Sequence, residues 1–121
     1  MSIENIVTRY IESFNESDAA KRAAILAEIY VDDCCYTDPH AVVSGRAAIA
    51  DFIAGVQARL PGLRFELAGT VDAHHGQARF RWHATPKGAS APAAIGFDVV
   101  VLEGGRIRQV YGFLDAPTQP A

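Results

Sequence analysis

In LPGLRFELAGTVDA, residues 60–73, the period of the sequence changes. Before it, apolar residues recur every three or four positions, as on one face of a helix. From Leu63 onward they alternate with polar ones, as along a half-buried strand. Pro61-Gly62 marks the break and closes the last helical segment. Helices first and strands after predict an α+β domain: three N-terminal helices packed on one face of a curved antiparallel sheet.

Downstream, the alternation places strands near Leu63–Ala73, Gln77–Thr85, Ala94–Glu103 and Arg106–Leu114. His75-Gly76 and Gly104-Gly105 supply tight turns between them, and residues 85–92 form a longer loop. Upstream, Ile3, Ile6, Val7, Tyr10, Ile11 and Phe14 share one helical face. The polar run Asn15-Glu16-Ser17-Asp18 ends that helix and caps the next, which spans Ala19–Val31. Cys34–Asp38 reads as a short extended piece stopped by Pro39. Ser44-Gly45 opens a third helix with Ile49, Phe52, Ile53, Val56 and Leu60 on its apolar face. The expected organisation is one domain over residues 1–115 and a flexible tail over 116–121, where two prolines fall.

A chain of 121 residues, half of them hydrophobic and 21% charged, suits one globular domain. Its net charge of −3 and its lack of a Lys/Arg cluster argue against nucleic acid as a partner. Glu4, Arg9 and Glu12 interrupt any signal-peptide core, and the apolar runs are too short to span a membrane. The adjacent Cys34 and Cys35 read as reduced, buried thiols, which points to the cytoplasm. His40, His74, His75 and His83 lack metal-ligand spacing. No phosphate loop, dinucleotide fingerprint or nucleophile elbow occurs, so neither metal nor cofactor is expected.

Asp98 is the most informative residue, flanked by Ile95, Phe97, Val99, Val100, Val101 and Leu102. A carboxylate in such a strand either finds a partner or gives up its charge. Protonated, it could donate to a developing oxyanion; ionised, it could pair with Arg79 or Arg81 on the neighbouring strand. Strand parity bears on the choice. With a hairpin turning on Gly104-Gly105, Asp98 is expected to share a face with Val110, Gly112 and Leu114. Phe80 and Trp82 join them, while Arg79, Arg81 and His83 point away. A single bulge would reverse this grouping. Tyr10, on the apolar face of the first helix, needs a buried partner for its hydroxyl. Asp38, held extended before proline, could serve as a general base at a pocket edge or simply start a turn.

The string YTDPHAVVSGRAAIADF, residues 36–52, resembles a signature of the nuclear transport factor two-like superfamily. PGLRF, FRW, GFDVVVLEGGRI and YGFLD resemble strands of its SnoaL-like members. The resemblance covers nearly the whole chain and implies a cystatin-like, cone-shaped fold. Within that superfamily the chain is similar to the Δ5-3-ketosteroid isomerases. This resemblance implies Asp38 as general base, with Tyr10 and a neutral Asp98 as the oxyanion-holding pair. Phe14, Phe80, Trp82, Val110, Gly112 and Leu114 would then surround a small hydrophobic ligand. Family members commonly pair through the open sheet face, here Phe97, Val99, Tyr111 and Phe113, so the resemblance also implies a homodimer. Two readings of function follow. One is a cofactor-independent acid/base enzyme, of isomerase, cyclase or dehydratase type, acting on a small hydrophobic carbonyl compound. The other is a binding or assembly module without turnover.

Overall fold

The computed structural model describes residues 1–115; residues 116–121, where the flexible tail is expected, lie outside that range. Three helices, α1 (Ile3–Asn15), α2 (Ala19–Ile29) and α3 (Arg46–Arg59), pack on one six-stranded sheet. Its strands are β1 (Tyr30–Asp38), β2 (Ala41–Ser44), β3 (Leu63–His74), β4 (Gln77–Pro86), β5 (Ala94–Glu103) and β6 (Arg106–Leu114), in the order β2-β1-β6-β5-β4-β3. The four late strands form an antiparallel meander, as the alternation predicts.

The N-terminal half differs from expectation in two ways. β1 begins at Tyr30, within the span predicted as helix. Aromatic Tyr30 and β-branched Val31 favour extended backbone, and Tyr30 pairs with Ile107. Ala41–Ser44, not expected as a strand, folds back on β1 through the Pro39-His40 turn. β1 also runs parallel to β6, so the sheet is mixed rather than wholly antiparallel. Such a pairing joins residues some seventy positions apart, beyond the reach of local periodicity.

Ser2 and Asp18 cap α1 and α2 through side-chain bonds to Asn5 and Lys21 amides. The core lies between helices and sheet, where Ile6, Val7, Leu26, Ile29, Ile49 and Ile53 meet Val100, Ile107 and Val110. Gln57 on α3 donates to the Phe14 and Glu16 carbonyls and accepts from Arg22, tying the α1–α2 turn to α3.

Register shifts bend the sheet in β3 between Ala68 and Asp72 and in β5–β6 between Val101 and Leu102. The second shift corrects the parity argument. Counting from Glu103↔Arg106, a regular ladder would set Asp98 opposite Tyr111. Instead Leu102 pairs with Ile107 and Val101 with Gln109, leaving Arg108 unopposed, so Asp98 faces Gly112. The predicted companions of Asp98 are present because of a bulge, not because the hairpin is regular.

Candidate active site

Asp98 is 4% exposed, and its cross-strand neighbours are Phe80 and Gly112. Arg79 and Arg81 bond to Asp72 and Asp115 instead, so the arginine pairing considered from sequence does not form. The Tyr10 hydroxyl donates to Asp98 Oδ2 at 2.6 Å and Trp82 Nε1 donates to Oδ1 at 3.1 Å. Burial pushes the acid up to about 6; Tyr10, Trp82 and the Phe113 amide oppose that by donating to the charged form, while the charge of Asp38 adds to it. The acid is raised, the direction expected from the sequence, while the three donors hold back part of that shift. Burial and the neighbouring acid raise the Tyr10 phenol well above its usual value, so it stays a donor.

Asp38 ends β1, where the Pro39-His40 turn begins. Its Oδ1 accepts from the His40 and Ala41 amides at 2.7 and 3.0 Å. Oδ2 accepts from the Tyr36 hydroxyl at 2.7 Å. A carboxylate offers about four lone-pair sites; bonds among the described residues engage three and leave one on Oδ2. Asp38 thus both starts a turn and borders the cavity.

The two acids meet across Gly112, which has no side chain for a physical reason. A Cβ there would lie 3.1 Å from Asp98 Oδ1 and 3.2 Å from Asp38 Cβ. Both acids open on a cavity of about 640 Å³ between helices and sheet, lined also by Tyr10 and Tyr36. Apart from these groups its wall is largely apolar, with Phe52 and Val56 contributed by α3 and Leu60 by the residue just past its end. That size and lining suit a small hydrophobic ligand.

Of the residues expected around a ligand, Phe14, Trp82 and Leu114 line the cavity. Phe80 and Val110 do not. Phe80 is spent against the Tyr10 ring at 5.7 Å, and Val110 is wholly buried in the packed core. Gly112 lies beneath the acids and contributes room rather than contact. Sequence reasoning missed Tyr36, although its position two residues before Asp38 on one strand already puts both side chains on one face. It also missed the role of the Trp82 indole N–H, and the contribution of α3 as a wall. Among the described residues no group of three His, Cys, Asp or Glu is placed to hold a metal, and no helix is long and apolar enough to cross a membrane.

Residues 7–110 match the family model of the SnoaL-like domain. The fold is similar to that of a candidate isomerase of the SnoaL-like family from Agrobacterium tumefaciens, with 35% identity, a TM-score of 0.88 and coverage of 93% of this chain and 96% of that one. A candidate polyketide cyclase from Sinorhizobium meliloti shares 17% identity over 89% of this chain and 93% of its own, with a TM-score of 0.70. A candidate ketosteroid isomerase from Kribbella flavida shares 16% identity over 98% of this chain and 81% of its own, with a TM-score of 0.68. At those identities the last two show shared fold alone. No curated protein matches the sequence.

Proposed function

This chain belongs to the SnoaL-like domain family, and from that premise we propose that it is a cofactor-independent acid/base enzyme acting on a small hydrophobic carbonyl compound. The observation that carries this reading is the convergence of two carboxylates and a phenol on one apolar cavity across Gly112. Asp38 takes a proton from the carbon next to the carbonyl through its free Oδ2 lone pair. The C–H electron pair becomes the enolate C=C bond, and the carbonyl pair moves onto oxygen. Tyr10 donates to that oxygen with protonated Asp98 donating to Tyr10 behind it, and such preorganised donors stabilise developing charge. An apolar ligand that displaces water from the cavity raises Asp98 further and favours its donor form. Asp38 then returns the proton to another carbon in an isomerisation, to the alkoxide formed when the carbanion attacks a second carbonyl, or to a β-hydroxyl that departs as water. The neighbouring candidate isomerase and cyclase fit this shared first step.

A second reading, a binding module without turnover, draws on one observation: three of the four acceptor sites of Asp38 are already engaged by its own turn and Tyr36. The exposed sheet face supports a homodimer in either case. Tyr111 and Phe113 are about half exposed, and Phe113 stacks on Phe97 at 5.0 Å. The free thiols Cys34 and Cys35 fit a cytoplasmic protein.

Deuterium wash-in at the α-carbon of cyclic enones and ketones decides between the readings. Wild-type protein exchanges the label, and Asp38→Asn loses roughly 10²–10⁴-fold of the rate, the usual worth of a positioned general base. Stabilisation by these compounds without exchange leaves the binding module.

A further inference from the structure

The donors around Asp98 are of different kinds, and that difference has a chemical result. An indole N–H can only donate, whereas a phenol hydroxyl can donate or accept. The Trp82 indole N–H points at Oδ1 and the Tyr10 hydroxyl at Oδ2. A proton on Oδ1 would face the indole hydrogen and cost that bond. A proton on Oδ2 costs nothing equivalent, because Tyr10 reverses: it accepts from Asp98 and turns its own hydrogen toward the cavity it lines.

Trp82 has little freedom to swing away. Opposite it on β5 stands Gly96, where a Cβ would overlap the indole ring and the Phe113 carbonyl oxygen. The ring therefore lies over the bare backbone of Gly96, which brings Nε1 to Asp98 two residues along. Phe65 also packs against it, with ring centroids 5.5 Å apart. The remaining groups facing Asp98 are Tyr10 from α1, Tyr30, Tyr36 and Asp38 from β1, and the Phe113 amide from β6. None of these but Tyr10 stands at Oδ2 as a group able to accept from it.

We infer that Trp82 is a positioning residue that fixes which oxygen of Asp98 carries the proton, so that the donor presented to a ligand's oxygen is always the Oδ2–Tyr10 couple. This rests on the acid/base reading for its use in turnover, but not for its geometry. Placement of the donor follows from one indole hydrogen rather than from the acid itself.

Trp82 is the one tryptophan of the chain, so its indole N–H signal in the ¹⁵N-labelled full-length protein needs no assignment. That signal should titrate with a midpoint of about 6. Asp98→Asn should abolish the titration, and Asp38→Asn should move it to lower pH by removing a neighbouring charge. The indole hydrogen should stay protected from exchange with solvent on both sides of the midpoint, because its bond to Oδ1 survives protonation. A signal that does not titrate, or one that loses protection at low pH, overturns the inference; the latter would place the proton on Oδ1. In the deuterium assay Trp82→Phe should lower the exchange rate at saturating ligand about tenfold, in line with loss of one hydrogen bond. Full exchange by Trp82→Phe also overturns it. Should the wild type exchange no carbonyl compound, the enzymatic reading falls, while the indole titration still decides what Trp82 does to Asp98.

Discussion

Asp98 and Asp38 stand on either side of Gly112 and are held there by different kinds of bond. Asp98 depends on side chains remote in sequence: Tyr10 lies 88 positions away and Trp82 lies on the next strand. Asp38 is held within its own turn, by two backbone amides two and three residues on and by Tyr36 two residues back. One acid is a product of the tertiary fold and the other of local chemistry. The two should therefore respond differently to any change that spares the backbone, and Asp98 should register the larger effects.

The largest difference is in the pH dependence of stability. Asp98 sits near 6 in the folded protein against an ordinary 3.8, so between these values the folded state holds the extra proton. Stability from this group is full at low pH and falls as pH rises from about 4 to beyond 6, by about 3 kcal/mol. Chemical denaturation of wild type and Asp98→Asn across that range should show the loss in the wild type alone. Equal slopes in the two proteins would break the comparison at its strongest point.

Removing a tyrosine hydroxyl from each acid sharpens it. Tyr10→Phe withdraws a donor from a buried carboxylate that water hardly reaches, and should cost about 2 kcal/mol at pH 7. Tyr36→Phe leaves Asp38 with both amides and partial access to water, and should cost about 1 kcal/mol or less. Urea midpoints for the two variants give the order directly. If Tyr36→Phe proves the more damaging, Asp38 is held by its strand partner rather than by its turn.

The same division explains what was legible in the sequence. The meander was readable because alternation and the turns at His75-Gly76 and Gly104-Gly105 are local signals. Asp38 could be seen as a turn former and as a candidate base; it starts the turn and borders the cavity. Asp98 was recognisable as a carboxylate in an apolar strand, yet its partners depend on which elements pack over it. Trp82 reads as an aromatic wall until Gly96 is found opposite it. The parallel pairing of β1 with β6 and the added strand β2 carry no short-range pattern at all. The apolar run of helix two continues through Tyr30 and Val31, where the change to strand is set by pairing with β6.

Arg108, unopposed between the Ile107 and Gln109 pairings, gives β6 something like a reading frame. Residues 109–114 carry two alternating sets: Val110, Gly112 and Leu114 are delivered to the cavity side, while Tyr111 and Phe113 lie on the open face. Closing the bulge with Arg108 kept, so that it paired with Val101, would shift the strand by one and exchange the sets. Tyr111 would then arrive where Gly112 leaves room for two acids, and the cavity would fill with a phenol ring although no residue lining it had been altered. At this strand the site is encoded as much by one extra residue held out of the ladder as by composition, and losing that residue outright would leave both sets where they are.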